Sequence, residues 1–397
     1  MTSTQQWIEQ GLESVASTYG RYPLVAARGE GCWLIDTDGK RYLDFLAGVA
    51  VNNLGHCHPA VVAAVRDQAG RLIHCSNFYH IPQQIELARM LCEQSFGDRV
   101  FFCNSGAEAN EAAIKLARKW STETFGPQRF EIIAAQASFH GRTMATVSAT
   151  GQEKIQAGFA PLLPGFRHAP YGDIAALRAQ VSAQTCAIIL EPVQGEGGIN
   201  VPPAGYLQEV RELCNEHQLL LIFDEIQTGL GRTGTLFAYQ HDQVEPDIMT
   251  LAKALAGGVP IGTMIARRPY SEVLGPGSHG STFGGNPLST AAGVAALTAL
   301  SSPELLAHCV AMGDFLITEL TRLKERRSII RAIRGRGLMV GIELGCEGAP
   351  LVKQALEQGL LINCTAGNVL RLVPPLIVER DEIRQMLDIL DGIFEQL

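Results

Sequence analysis

Short apolar runs punctuate the middle of the chain at Val100 to Asn104, Glu131 to Ala135, Cys186 to Glu191, Leu219 to Asp224 and Gly262 to Ala266, with helix-patterned stretches between them. This alternation constrains the fold more than any other feature. It predicts an α/β architecture, a mostly parallel sheet flanked by helices, and its regular spacing excludes an all-α fold. Between the first two runs, Ala109, Ala112, Ala113, Leu116, Ala117 and Trp120 recur at helical intervals, with Glu111, Lys115 and Arg118 on the other face.

The two ends read differently. Near the start, Trp33 to Asp36 and Lys40 to Phe45 flank Asp38-Gly39, a hairpin signal. Near the finish, Gly341 to Leu344, Leu360 to Asn363 and Val369 to Val373 read as strands between helices, the last helix being Arg380 to Leu397. A chain of 397 residues with 46% hydrophobic content is too long for one simple unit. The expected division is a large domain over 56–290 and a smaller α+β domain built from both termini, 1–55 and 291–397. No Pro- or Ser-rich linker marks a boundary.

Charge excludes one class of partner. Against 40 acidic residues stand 32 basic ones, and no stretch gathers enough Lys or Arg to track a phosphate backbone, so no nucleic acid is expected. Met1 to Tyr19 is polar and lacks a signal pattern, and no apolar run has the length of a bilayer span, so the expectation is no membrane and a cytoplasmic location. The 10 cysteines show no Cys-x-x-Cys and no pairing rhythm, and they read as small buried hydrophobes in a reducing compartment. In His56-Cys57-His58, adjacent residues cannot all face one ion, and no metal site is expected.

The chemistry gathers at three places. The run Leu219 to Phe223 leads straight into Asp224 and Glu225, which puts carboxylates where parallel sheets bind ligands, at the carboxyl end of a strand. By itself this is equally a strand end with solvated acids. Further on, Lys253 sits among small and apolar neighbours, Thr250 to Gly258, where desolvation disfavours its ammonium form and frees the amine to condense with an aldehyde. Third, Asn104-Ser105-Gly106-Ala107-Glu108-Ala109-Asn110 joins a strand to a helix, and small residues there leave N–H groups open to a phosphate, although Ser is also an ordinary N-cap. An amine for an aldehyde, a carboxylate for a pyridinium nitrogen and a cradle for a phosphate are together the protein's share of pyridoxal-phosphate chemistry. The competing motif, Gly229-Leu230-Gly231-Arg232-Thr233-Gly234, fits a dinucleotide fingerprint, but Asp224 to Thr228 separate it from the strand and Asp242 comes too early for the ribose acid. A nicotinamide-dependent oxidoreductase and a non-catalytic binding protein of the same fold are the readings from other classes.

Over nearly its whole length the sequence resembles the class III, ornithine-type aminotransferases. The resemblance is carried by Gly55-His56-Cys57-His58-Pro59, Asn104 to Asn110, Phe139-His140-Gly141-Arg142, Glu191-Pro192-Val193-Gln194-Gly195-Glu196-Gly197-Gly198, Phe223 to Gly229, the Lys253 segment and Gly280 to Pro287. It implies a fold type I pyridoxal-phosphate-dependent transferase with Lys253 bonded to the cofactor and Asp224 paired with its ring nitrogen. It further implies cofactor contacts from Ser105, Gly106, Ala107, Glu225 and Ile226, with Phe139 stacked on the ring and Gln227 near its phenolic oxygen. Ser281 and Thr282 would reach across the interface of a homodimer with shared sites, Thr282 to the partner's phosphate. Arg142 would bind the far carboxylate of the substrate, and Arg371 the carboxylate of glutamate or 2-oxoglutarate beside the reacting carbon. Glu196 would pair with Arg371 and release it in one half-reaction. Acetylornithine is the donor the resemblance favours, with 2-oxoglutarate as acceptor. Succinylornithine, ornithine, 4-aminobutyrate and N-succinyl-diaminopimelate are the rival donors, and ping-pong kinetics are implied.

Overall fold

In a computed structural model, which describes residues 3–397, the central apolar runs become strands of one sheet. Met1 and Thr2, where the polar start begins, lie outside the described residues. The strands are β1 (Ala26–Glu30), β2 (Trp33–Asp36), β3 (Arg41–Asp44), β4 (Arg99–Cys103), β5 (Glu131–Ala135), β6 (Phe166–Ala169), β7 (Thr185–Leu190), β8 (Leu220–Asp224), β9 (Ile248–Leu251) and β10 (Gly262–Ala266). They continue with β11 (Ile330–Arg336), β12 (Met339–Leu344), β13 (Leu360–Leu361), β14 (Asn363–Thr365) and β15 (Val369–Leu372).

The large sheet has the order β4-β10-β9-β8-β7-β5-β6. Its β5–β6, β5–β7, β7–β8 and β8–β9 pairs are parallel, while β10 runs against both β9 and β4. Both faces are covered. Ile132 and Ala134 belong to one core cluster, with Ala113, Leu116 and Ala117 of the helix Gly106–Phe125, whereas Ile133 and Ala135 belong to the other. Strands buried on both faces are why these runs are apolar without alternation. Phe223 is fully buried within β8, and truncating it to Ala costs about 3–5 kcal/mol.

Two strands of this sheet escaped the sequence reading. Strand β6 is Phe-Arg-His-Ala on a sheet edge, too polar to show as an apolar run, and β9 is only four residues long. Gly262 to Ala266 was expected among mostly parallel strands and is the reversed one. Near the finish, Leu360 to Asn363 is not one strand. At Ile362 the chain leaves a sheet ordered β1-β2-β3-β13, where β13 runs parallel to β3, and joins a second ordered β11-β12-β15-β14. Strand β11 was missed because it reads Ile-Arg-Ala-Ile-Arg-Gly-Arg, partly exposed throughout most of its length. The hairpin β2–β3 closes as Asp38-Gly39 suggests, with Asp36 Oδ1 accepting from the N–H groups of Asp38 and Lys40, both at 2.9 Å.

Segments from the start and the finish of the chain are also tied to the large sheet's loops. Arg232 is fully buried and donates from Nη1 to the carbonyls of Leu338 (2.9 Å) and Pro374 (2.6 Å), and from Nη2 to Asn53 Oδ1 (2.6 Å). Burial away from any carboxylate pulls its guanidinium down to about 10. Among the described residues no single helix is long and apolar enough to cross a membrane; Pro287–Leu300 and Pro303–Arg326 pass that test only as a pair, bent by 65°.

Candidate active site

The parallel strands deliver their carboxyl ends to one edge of the sheet, and β10, being reversed, starts there. The closeness of this edge is set by Gly262, where a Cβ would lie 2.3 Å from the carbonyl oxygen of Ser105. A cavity of about 380 Å³ opens at the edge, lined by Ser105, Gly106, Ala107, Phe139, Arg142, Glu191, Asp224, Ile226, Gln227 and Lys253, among others.

Lys253 follows β9 in a left-handed backbone conformation, φ +42°, which costs a non-glycine residue free energy and turns its side chain out of the strand direction. What surface it shows faces the cavity. Desolvation brings its amine down to about 8, and the nearby Arg371 charge pushes the same way against Glu196, Asp224 and Glu191. A neutral amine is therefore accessible near physiological pH, which is the state that attacks carbonyls.

Asp224, the last residue of β8, is held from several sides. Its Oδ2 accepts from Asn110 Nδ2 (2.7 Å) and pairs with His140 Nδ1 (2.8 Å), and its Oδ1 accepts from the Ile226 N–H (3.1 Å). Asn110 is itself fixed by Thr250 Oγ1 donating to its Oδ1 at 2.8 Å. Burial works against charge on His140, but the hydrogen bond and charge of Asp224, helped by Glu191, raise its pKa above the ordinary value. The contact with Asp224 thus favours the protonated imidazole more than burial alone would allow. One lone-pair direction of Oδ1 is left for a further donor.

Ser105 caps the 20-residue helix Gly106–Phe125 through its side chain, which accepts from the Glu108 N–H. The first-turn N–H groups of Gly106 and Ala107, which no carbonyl within the helix can reach, face the cavity. Gly106 also lets Ile226 approach, since a Cβ would sit 2.8 Å from its Cδ1. Phe139 is half-buried across the cavity, and its N–H donates to Glu191 Oε2 at 3.1 Å. Beyond Gln227, Arg371 lies 1% exposed on β15 and donates from Nη1 to Glu196 Oε1 (2.5 Å) and Gln227 Oε1 (3.2 Å). Desolvation of Glu196 is outweighed by the charges of Arg371 and Lys253 and by hydrogen bonds from Arg371 and Gln227, so its carboxyl is held below the usual range.

The family description for class-III aminotransferases matches residues 14–394. The chain belongs to the class-III aminotransferases. It is 53% identical over 381 residues, 96% of this chain and 97% of the other, to the acetylornithine aminotransferase of Caldanaerobacter subterraneus. Its fold superposes with a TM-score of 0.96 and 37% identity on an ornithine aminotransferase from Toxoplasma gondii with partial occupancy of pyridoxal phosphate at its active site, covering 100% of this chain and 95% of that one. Against the acetylornithine aminotransferase of Elizabethkingia anophelis the TM-score is 0.90 at 35% identity, with 100% of each chain covered.

In this class-III aminotransferase most of the residues singled out from sequence converge on one place, and the exceptions are informative. Glu225 does not reach the cavity: its carboxylate turns back to accept from the N–H groups of Ala238 (2.6 Å) and Tyr239 (2.8 Å), with Thr228 Oγ1 at 3.4 Å, and burial pushes it up to about 7. Successive residues leaving a strand point opposite ways, so Asp224 and Glu225 cannot both face the site. Arg142 is exposed at the cavity mouth, its guanidinium 5.5 Å from the Phe139 ring centre. Ser281 and Thr282 lie in a separate depression with Ser76, Asn77, Phe78 and Gln84; Ser281 Oγ accepts from Asn104 Nδ2 (3.1 Å), and Thr282 is exposed. Gly229 to Gly234 forms tight turns around the buried Arg232 instead of a strand-to-helix phosphate loop.

Asn110, His140 and Glu191 received no role from the sequence although all three stand in the segments quoted above. Glu191 was within reach, because it follows β7 as Asp224 ends β8 and the same strand-end argument applies. Its carboxylate joins two loops, accepting from Phe139 through one oxygen and from the Gly195 N–H (3.1 Å) through the other, and burial pushes it up to about 7.

Proposed function

We infer that the chain transfers the δ-amine of acetylornithine to 2-oxoglutarate, giving N-acetylglutamate semialdehyde and glutamate, with pyridoxal phosphate carried on Lys253. The observation that carries this reading is the buried Arg371 paired with Glu196, a carboxylate that keeps 28% of its side chain exposed. Glutamate and 2-oxoglutarate place a carboxylate beside the reacting carbon, whereas the δ end of acetylornithine is uncharged there. A fixed arginine suits only the first; an arginine that Glu196 covers and uncovers suits both. Arg142 at the mouth is placed for the carboxylate at the far end of either substrate.

The residues present fit the cofactor. Its phosphate suits the Gly106 and Ala107 N–H groups, its ring the gap between Phe139 and Ile226, and its protonated nitrogen the remaining lone pair of Asp224, whose charge His140 and Asn110 support. When bound, pyridoxal phosphate supplies an electrophilic aldehyde and a ring that accepts the electrons of a broken C–H bond. With the cofactor bound, the Lys253 amine would take the proton from the amine-bearing substrate carbon and deliver it to the cofactor's former aldehyde carbon, so that the amine stays with the cofactor. Asp224 keeps a proton on the ring nitrogen.

We further propose a homodimer in which Thr282 of one copy completes the phosphate site of the other. Phe78 (92% exposed), Tyr79, Phe283, Ile73 and Leu72 are exposed apolar side chains on the segments around the depression that holds Thr282, as a surface meant for a partner would leave them. Borohydride treatment of the yellow holoenzyme followed by peptide mapping tests the site: the label is expected on Lys253, and a label on another lysine ends this reading. A donor panel of acetylornithine, succinylornithine, ornithine and 4-aminobutyrate, with 2-oxoglutarate fixed, tests the substrate.

A further inference from the structure

Strand β14 is an edge strand of three residues, yet it holds both members of the Glu196–Arg371 pair. Asn363 stands opposite Arg371 in register and its Oδ1 accepts from Arg371 Nε at 3.1 Å. Thr365, two residues on and so on the same face, donates its hydroxyl to the backbone carbonyl of Glu196. The rest of the Glu196 loop is pinned as well. Gly195 N–H donates to Glu191, Gly197 O accepts from Asn200 Nδ2 (3.0 Å), Gly198 O accepts from Arg334 Nε (2.8 Å), and Gln194 and Asn200 exchange two backbone bonds of 3.0 and 3.2 Å. Gly195 also lies close against Gln227, whose amide a Cβ at position 195 would meet at 2.4 Å. The Glu196 backbone is thus held on both sides, while 28% of its side chain is exposed.

We propose that Asn363 and Thr365 are positioning residues that set the dual specificity, one for each state of the pair. The inference rests on the exchange of Glu196 at Arg371 described above. Asn363 keeps the guanidinium in its receiving posture when Glu196 leaves, and it does so with a neutral amide oxygen. A carboxylate in its place would satisfy the charge permanently and compete with the incoming substrate. Thr365 makes the Glu196 backbone a fixed pivot, so the exchange is a side-chain rotation and the acid returns to cover Arg371 whenever an uncharged substrate end arrives. Two residues on one face of one short strand thereby serve opposite half-reactions.

The test uses the holoenzyme and the variants Asn363→Ala, Asn363→Asp and Thr365→Val. Three quantities are read: the acetylornithine half-reaction, the 2-oxoglutarate half-reaction, and the calorimetric affinity for glutarate, a five-carbon dicarboxylate that does not react. Asn363→Ala should weaken glutarate about tenfold, the value of one hydrogen bond to a charged group, and raise the 2-oxoglutarate KM similarly, with less than a threefold loss toward acetylornithine. Asn363→Asp should weaken glutarate at least as much although it keeps the hydrogen bond. Thr365→Val should do the reverse, slowing the acetylornithine half-reaction about tenfold and moving glutarate less than threefold. Each variant is judged by the ratio of its own two half-reactions, so a loss of folded protein cancels. Equal losses in both half-reactions, or unchanged glutarate binding in both Asn363 variants, overturns the proposal. A Glu196→Ala enzyme with unaltered donor preference would remove the exchange and the role of Thr365 with it; glutarate binding by the Asn363 variants made in the Glu196→Ala background no longer requires Glu196 to leave and tests Asn363 separately.

Discussion

The two ends of the active site are built on different plans. At the Asp224 end the groups come from the large sheet, the helix Gly106–Phe125 and the loop after β5, Asp224 is 3% exposed, and its partners Asn110 and His140 are themselves buried and fixed. At the Arg371 end the groups come from a loop after β7 and from a strand of the C-terminal sheet, and Glu196 keeps 28% of its side chain exposed. The first end has a single arrangement and serves electrons and protons that behave alike for every substrate. The second, on the proposed reading, has an acid that exchanges at Arg371 and serves a choice between substrates. On that reading rigidity and choice are separated in space, and the group with most access to solvent is the acid that exchanges, Glu196.

That contrast can be broken in graded steps. Lys253→Ala should lower turnover by at least about 10⁴-fold for all donors, since both the attachment point and the proton carrier go; appreciable steady-state activity in this variant contradicts the assignment. Asp224→Asn should cost roughly 10³-fold in kcat, equally in both half-reactions, because the buried charge acts on the ring and on no particular substrate. An effect confined to one donor would mean that the rigid end also discriminates. Glu196→Ala should cost less and cost unequally, shifting donor preference toward glutamate by about 10–100-fold as Arg371 stays uncovered; competition between acetylornithine and glutamate measures it. The smallest effect is on pH. Because desolvation lowers the Lys253 amine to about 8 and only the neutral amine reacts, the rate at which apoenzyme takes up pyridoxal phosphate should rise through pH 8, falling about tenfold per unit below it. A half-point near 10 would place the lysine in water.

The rigid end was also the more legible in sequence. An apolar run ending in an acid, a lysine without charged neighbours and a small-residue helix start are local patterns, each with its own physical reason. What stayed hidden depends on distant pairing. The partners of Asp224 come from residues 110 and 140, and nothing local marks them as converging. Glu225 was over-read because the alternation of side chains at a strand end was not applied to it. Strand β10 looked like its neighbours because direction leaves no trace in an apolar run. The partition of Leu360 to Thr365 between two sheets was invisible for the same reason: register is decided by whichever edge is available, and two edges were.

That partition has a consequence for how the protein is made. Strand β13 lies beside β3, so the sheet that the first strands begin cannot be completed until residues near 361 have left the ribosome. At about 5–20 residues per second, β3 waits roughly a quarter of a minute to a minute for its neighbour, with its hydrogen-bonding edge open throughout. Until then that open edge is free to pair with another chain.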